Sequence, residues 1–405
     1  MNILIVGGGT AGWSAAAYLS RSYNVTLVES SDVPIIGVGE STLPLMQKFC
    51  QDLELEESQW MDKCNAIHKL GIQHIGWKKD VDESWFHWFL YDRNGHDTFD
   101  HLEKGTLPQG TFEYAYHVDA TKFGIEVMKP LALANGVTHI IDNVDDIVLD
   151  DDNSVDYVVL SKTGKAKYDL YVDCSGFAKI FAKKQNTEFQ QYDYLKNDSA
   201  IACPQLLDTD IKRHTITRTM NHGWMWEISL QNRRGVGYVY SSEFCSDDEA
   251  IEEYLEHWPN TDKSKLRVLK FTPGYAKTPF YKNVASIGLS AGFIEPLEAN
   301  GIWLINFSIM GLYRCLQEGT SFDVFNRRYK TIMEDVKNFT ISHYTLSELD
   351  HTPYWKHFNN LEKQLNTKAI VKEKGEQPDT AFGSSLNLFH PYSWWSKSKY
   401  FLRSK

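Results

Sequence analysis

Met1-Asn2-Ile3-Leu4-Ile5-Val6-Gly7-Gly8-Gly9-Thr10-Ala11-Gly12 is followed by an Ala-rich stretch, Trp13 to Arg21, and then by Val25-Thr26-Leu27-Val28-Glu29. An apolar run enters a G-x-G-x-x-G turn, a helix leaves it, and a second β-branched run ends on an acid. That context turns a loose glycine pattern into a dinucleotide-binding signature. Gly7 allows the tight turn, Gly9 lets the backbone approach a pyrophosphate, and Gly12 lets helix pack on strand. Thr10 and Ala11 open the helix, whose unpaired N–H groups and positive dipole end face the phosphates. Glu29 would accept hydrogen bonds from the adenosine ribose, and its charge disfavours a 2′-phosphate, so FAD or NAD is favoured over NADP. A glycine-rich turn without a ligand is the competing reading, and the strand–helix–strand context weighs against it.

The rest of the composition describes a globular enzyme. At 405 residues the chain exceeds one ordinary core, and two intimately joined domains are the natural expectation. A hydrophobic share of 42% excludes wholesale disorder, and 12 Trp, 21 Tyr and 21 Phe suit a protein that binds flat rings. A net charge of -11 offers no footprint for nucleic acid. The six cysteines are scattered without a CxxC pair and read as reduced thiols of a cytoplasmic protein. The 14 histidines show no HExxH or comparable ligand spacing, which argues against a metal site. No signal peptide is recognisable. The longest apolar segment, Ile302 to Tyr313, is too short to span a bilayer, so no membrane partner is expected.

Further strand-like runs stand at Val144-Leu149, Val155-Leu160, Leu170-Val172 and Val284-Gly288. The nucleotide fold is therefore expected to be discontinuous. The stretch from about Asp193 to Pro273, rich in Thr, Trp, Tyr and Val, reads as a β-rich layer. From Gly301 the pattern turns helical, and the end, Lys372 to Lys405, closes on Tyr392-Ser393-Trp394-Trp395 as a strap or lid.

These segments resemble the flavin-dependent halogenases of the tryptophan-halogenase family over most of the chain. Gly37-Val38-Gly39-Glu40-Ser41-Thr42-Leu43-Pro44 matches that family's second glycine motif. Tyr116-His117-Val118-Asp119-Ala120 and Asp173-Cys174-Ser175-Gly176-Phe177 match two flavin-domain signatures. Gly223-Trp224-Met225-Trp226-Glu227-Ile228 resembles the W-x-W-x-I-P block, and Gly288 to Ile302 the flavin and halide segment. The resemblance implies an α/β fold. A Rossmann-like FAD-binding domain of the aromatic-hydroxylase type would comprise 1–45, 100–185 and 280–320. A substrate and halogenation module would comprise 46–99 and 186–279, and a helical C-terminal region 321–405.

It also implies a chemistry. Flavin reduced by a separate reductase and delivered as diffusing FADH2 would, with O₂, oxidise halide to hypohalous acid. Gly39, Gly288, Leu289 and Ile302 would join the first glycine turn around FAD, and the backbone amides of Asn300 and Gly301 would hold the halide. Lys69, in Asn65-Ala66-Ile67-His68-Lys69-Leu70-Gly71-Ile72, resembles the family's essential lysine. It would either hydrogen-bond hypohalous acid or form a haloamine. Glu298 resembles the carboxylate that stabilises the cationic ring intermediate and accepts its proton. Glu295 reads instead as a helix N-terminal carboxylate. Trp224 and Trp226 alternate, so they share one strand face and would wall off the flavin, with plain core packing as the alternative. Trp85-Phe86-His87-Trp88-Phe89 resembles the segment that stacks on a small aromatic substrate, with Phe86, His87, Trp88 and Phe89 as the contacts and core packing again as the alternative.

Three departures qualify the likeness. Ser229 stands where the Trp block ends in proline, and Ala299 and Asn300 stand where small hydroxyl residues are usual. The segment that grips amino-acid head groups is hard to find, which counts against free tryptophan and points to an open pocket with bromide and iodide ahead of chloride. Gly288-Leu289-Ser290-Ala291-Gly292 satisfies the hydrolase elbow G-x-S-x-G, but the dinucleotide turn has no place in that fold. A flavin aromatic hydroxylase and a non-catalytic flavin redox protein remain the other readings, and homo-oligomerisation is open.

Overall fold

The computed structural model describes residues 1–33, 40–82, 84–89, 114–207, 210–375, 389 and 391–402. The first apolar run forms the strand Asn2–Val6 inside a six-stranded sheet. The order is Phe280–Tyr281, Val284–Ser286, Leu170–Asp173, Asn2–Val6, Asn24–Glu29, Thr138–Ile141. Every neighbour is parallel except the Phe280–Tyr281 edge. A parallel sheet is covered on both faces, which is why its central strand reads as continuous apolar residues rather than alternation. Helix Thr10–Leu19 covers one face. The runs Val144–Leu149 and Val155–Leu160 do form strands, but in a separate three-stranded sheet with Gly164–Ala166. Its Ile147, Val158 and Leu160 pack under Leu4, Val6 and Tyr171 of the main sheet.

The second large sheet has seven strands in the order Arg267–Lys270, Ser199–Leu206, Arg233–Tyr240, Gly223–Ser229, Thr215–Met220, Gly71–Ile75, Trp85–Trp88. It is antiparallel except where Gly71–Ile75 runs beside Thr215–Met220. Its outer face is covered by the helix Asp247–His257, started by a Ser246–Glu249 capping box and packed through Ala250 and Tyr254 on Met225 and Tyr238. The register lines up one row across the inner face: Trp85, His74, Thr217, Trp226 and Gly237. Gly237 is there because a Cβ would stand 2.0 Å from the Trp226 ring.

Helices Asn300–Glu318 and Phe322–Thr345, separated by a left-handed Gly319, begin the helical region. Pro353–Leu365, Thr367–Gly375 and Pro391–Phe401 complete it, the last lying against Thr367–Gly375 and Trp85–Trp88. The architecture is thus the expected α/β fold with a β-rich layer and a helical C-terminal region. Among the described residues no helix is long and apolar enough to cross a membrane, and all six cysteines are unpaired.

Two glycines set close approaches that test this packing. A Cβ on Gly12 would stand 1.8 Å from Gly7 O, and one on Gly237 would also stand 2.5 Å from Ile201 O. Gly12→Ala and Gly237→Ala should each cost roughly 1–3 kcal/mol of stability through forced backbone shifts, as denaturant unfolding would measure. Unchanged midpoints would show these approaches to be looser.

Candidate active site

The glycine turn is shaped for a phosphate-bearing ligand. Gly7 has φ +116°, and a Cβ there would stand 2.3 Å from Cys174 O, so only glycine fits beside the parallel strand. A Cβ on Gly9, by contrast, would meet nothing within 4 Å. The first turn of Thr10–Leu19 has neither a side-chain cap nor an acidic residue, leaving its N–H groups for an anion. Thr10 Oγ1 donates to Ala120 O (2.8 Å), tying the turn to the Tyr116–Ala120 motif. Ala11 approaches left-handed Gly288, bringing the two flavin-type segments together. Glu29 ends its strand with Oε1 held by His139 Nε2 (2.6 Å) and Lys129 Nζ (3.3 Å). Its other oxygen lies over Gly8, where a Cβ would collide with it. This cradle fits the adenosine and pyrophosphate of FAD. Gly39 lies outside the described residues.

Lys69 ends the strand Ile67–Lys69, paired with Ala115 across the sheet. Its side chain is fully enclosed. Nζ donates to Thr42 O at 3.0 Å and lies 4.6 Å from the centre of the Phe89 ring. One carbonyl and a ring replace hydration poorly. Burial therefore pulls the amine from its usual 10.5 to about 7, against the opposing attraction of Glu298. His117 lies beside it, held by Thr215 Oγ1 (2.9 Å) and Ser229 O (3.1 Å). Burial, reinforced by Lys69, keeps that imidazole neutral. Ser229 is a buried strand residue whose hydroxyl accepts Lys212 N–H at 3.2 Å.

Glu298 is buried in the short turn Leu297–Ala299. It has φ +67° and Ala299 has φ +56°, two consecutive non-glycine residues in the left-handed region, at roughly 1–3 kcal/mol each. Asn300 holds this turn by donating from Nδ2 to Glu295 O (3.2 Å) and Leu297 O (3.1 Å). The turn aims the carboxylate into a group of histidines. Oε2 lies 2.6 Å from His87 Nδ1, and Oε1 lies 2.9 Å from His343 Nε2 and 3.0 Å from His74 Nε2. Burial alone would raise the carboxyl's pKa. The charge of His87 and the imidazole contacts outweigh it and hold Glu298 well below the usual range. Lys397, from the last helix, reaches in to 2.6 Å from His343 Nδ1 and donates to Phe339 O.

The other candidates divide by strand face. Trp224 and Trp226 share the inner face with ring centres 6.1 Å apart, inside the core beside Trp77. His87 faces Glu298 and Phe89 faces Lys69, whereas Phe86 and Trp88 lie on the opposite side of the strand, stacked at 4.6 Å. The aromatic residue that does share the inner face is Trp85, stacked on His74 at 4.7 Å and on His87 at 5.4 Å. Glu295 is not a helix N-terminal carboxylate: Tyr344 Oη (2.5 Å) and Asn197 Nδ2 (2.9 Å) donate to it, and burial raises its pKa to about 7. Ser290 Oγ is buried and donates to Asp173 O and Ile287 O, which leaves no nucleophile in G-x-S-x-G. Helix Asn300–Glu318 starts without a side-chain cap, with Ile302 buried in its first turn and open space beside Gly301.

His74, His343 and Lys397 escaped the sequence reading, and no local spacing offered a signal for them.

The chain matches the family model for tryptophan halogenase over residues 2–103 and 94–397. It is 31% identical to tryptophan 7-halogenase RebH of Lentzea aerocolonigenes, across 92% of this chain and 80% of that one. It superposes on the crystal structure of tryptophan 6-halogenase SttH from Streptomyces toxytricini with a TM-score of 0.86 at 28% identity, covering 98% of this chain and 89% of that one. The flavin-dependent halogenase BrvH from Brevundimonas sp. BAL3 gives a TM-score of 0.83 at 28% identity, covering 99% and 89%. The chain, which carries both an enclosed lysine and a buried carboxylate, belongs to the tryptophan halogenase family and is a flavin-dependent halogenase.

Proposed function

We propose that this enzyme halogenates an electron-rich aromatic compound, with Lys69 as the residue that carries the halogen to the ring. Reduced FAD, delivered by a separate reductase, supplies with O₂ the oxidation of halide to hypohalous acid. The uncapped first turn at Asn300 and Gly301, open at the Gly301 side, is suited to hold the halide. Backbone amides select weakly by anion size, and bromide and iodide are more easily oxidised, so both should outperform chloride.

The observation that carries this reading is the enclosure of Lys69. An amine drawn down to about 7 is substantially neutral at physiological pH and therefore nucleophilic. Its nitrogen attacks the halogen of hypohalous acid, the halogen–oxygen bond breaks, and the amine proton leaves with hydroxide as water. The ring then takes the halogen, the nitrogen–halogen bond breaks as its electron pair returns to a Lys69 nitrogen that regains a proton, and Glu298, ionised beforehand, receives the ring proton in exchange. Trp224 and Trp226 stand as the wall that keeps substrate from the flavin. The aromatic segment that places His87 on Glu298 and Phe89 on Lys69 favours stacking of varied rings over a single amino acid.

Lys69→Met should abolish halogenated product, read by mass spectrometry with FADH2, bromide and a panel of indoles and phenols, while flavin reoxidation continues. Undiminished product would end the assignment. The folded amine, at about 7, binds fewer protons than the unfolded one, at 10.5. Wild-type stability should therefore rise with pH between those values. Lys69→Met should remove a penalty on the order of a few kcal/mol that is full below pH 7. A higher melting temperature for the variant at pH 7, converging on wild type toward pH 10, is expected.

The halogen-transfer rate should climb about tenfold from pH 6 to pH 8 as the neutral amine fills. A falling limb there would favour the ammonium as the active form. Gly9→Ala should leave thermal stability unchanged yet weaken FAD binding in a fluorescence titration, because the space its methyl enters is the cofactor's. Wild-type affinity would place the pyrophosphate elsewhere.

A further inference from the structure

One hydrogen-bond donor would suffice to orient Glu298, yet three imidazoles converge on it from three separate elements. The donor atoms of His74, His343 and Glu298 all lie within 4.8 Å of one another and all three residues are buried. His343 Nε2 and His74 Nε2 stand 2.9 and 3.0 Å from the same carboxylate oxygen. Ligand bonds of about 2.0–2.1 Å place donor atoms roughly 3–4 Å apart, so a small ion fits among them after minor adjustment.

The outer edges of both rings are secured as metal-bound imidazoles usually are. His343 Nδ1 lies 2.9 Å from Phe339 O, and His74 Nδ1 lies 2.8 Å from Thr217 Oγ1. Trp77 Nε1–H, which can only donate, points at the same threonine oxygen at 3.0 Å, and the threonine hydroxyl has Gln73 O at 3.4 Å to donate to. Thr217 can then accept the Nδ1–H of His74, the tautomer that frees His74 Nε2 to bind an ion. That atom is buried and faces the Glu298 carboxylate oxygen at 3.0 Å, the same oxygen that His343 Nε2 faces. In that tautomer a cation between nitrogen and carboxylate takes the place of the proton that would otherwise join them.

We propose that His74, His343 and Glu298 form a site for a divalent d-block cation of the zinc type, with His87 as an adjacent donor, and that its occupancy withdraws Glu298 from halogenation. The second clause rests on the role given to Glu298 above. Two imidazoles and one carboxylate suit zinc, iron or nickel rather than magnesium or calcium. Lys397 sits on the Nδ1 edge of His343, 2.6 Å from that nitrogen and 3.3 Å from Nε2, and is the competing cation.

The test is a calorimetric titration of the chelator-stripped full chain with Zn²⁺. One ion per chain is expected, with affinity falling at least ~30-fold in His74→Gln and in His343→Gln and unchanged in His222→Gln, remote from the cluster. Binding of Co²⁺ to the wild type should give a visible ligand-field band that equimolar Zn²⁺ erases, a readout that survives if a variant fails to fold. No stoichiometric Zn²⁺ binding, binding indifferent to both glutamine variants, or no cobalt band would each overturn the site. One equivalent of Zn²⁺ should also stop bromination until a chelator is added. Stoichiometric binding through these histidines with bromination intact would uphold the site and overturn the role of Glu298 instead.

Discussion

Desolvation of one amine organises this enzyme's centre. Lys69 is enclosed by Thr42, Phe89 and the sheet around them, with no carboxylate among the described residues inside hydrogen-bond distance to keep it charged at full strength. Had Glu298 been seated directly on it, a buried ion pair would have locked the ammonium and removed its nucleophilicity. Instead the carboxylate is turned to the histidines, near enough to act on Lys69 through the field and too committed to neutralise it.

That division depends on strain stored in a turn of two residues. Glu298 and Ala299 are both left-handed, and neither is glycine, so the surroundings must over-determine the conformation. Asn300 does so through two hydrogen bonds to carbonyls at 295 and 297, and the helix beginning at Asn300 fixes the far side. Ala299 and Asn300 thus shape the site through backbone geometry and the Asn300 amide's hydrogen bonds. The buried Glu295, Tyr344 and Asn197 network lies directly behind the same turn and anchors its start.

The inner face of the seven-stranded sheet couples these parts. The row Trp85, His74, Thr217, Trp226 and Gly237 joins His74 to Trp226 through one threonine. A shift of one residue in any of these pairings would send every member of the row to the outer face. Register, more than any single contact, therefore keeps histidine, wall and carboxylate together.

The amino-acid sequence alone determined the dinucleotide turn, the α/β class, the β-rich layer and the positions of Lys69 and Glu298. Each of these is written in a local pattern: glycine spacing after an apolar run, strand alternation, or a short motif read within a few residues. Tertiary structure alone decided which side of the strand Phe86 and Trp88 occupy, that Glu295 is buried in a polar network, and that His74, His87 and His343 gather on one carboxylate. Those three histidines are 13 and 256 residues apart along the chain, a separation in which no ligand spacing is visible. Strand pairing and helix packing bring them within hydrogen-bonding reach, because hydrophobic burial of the two sheets and the helical region closes distances that local propensity cannot encode.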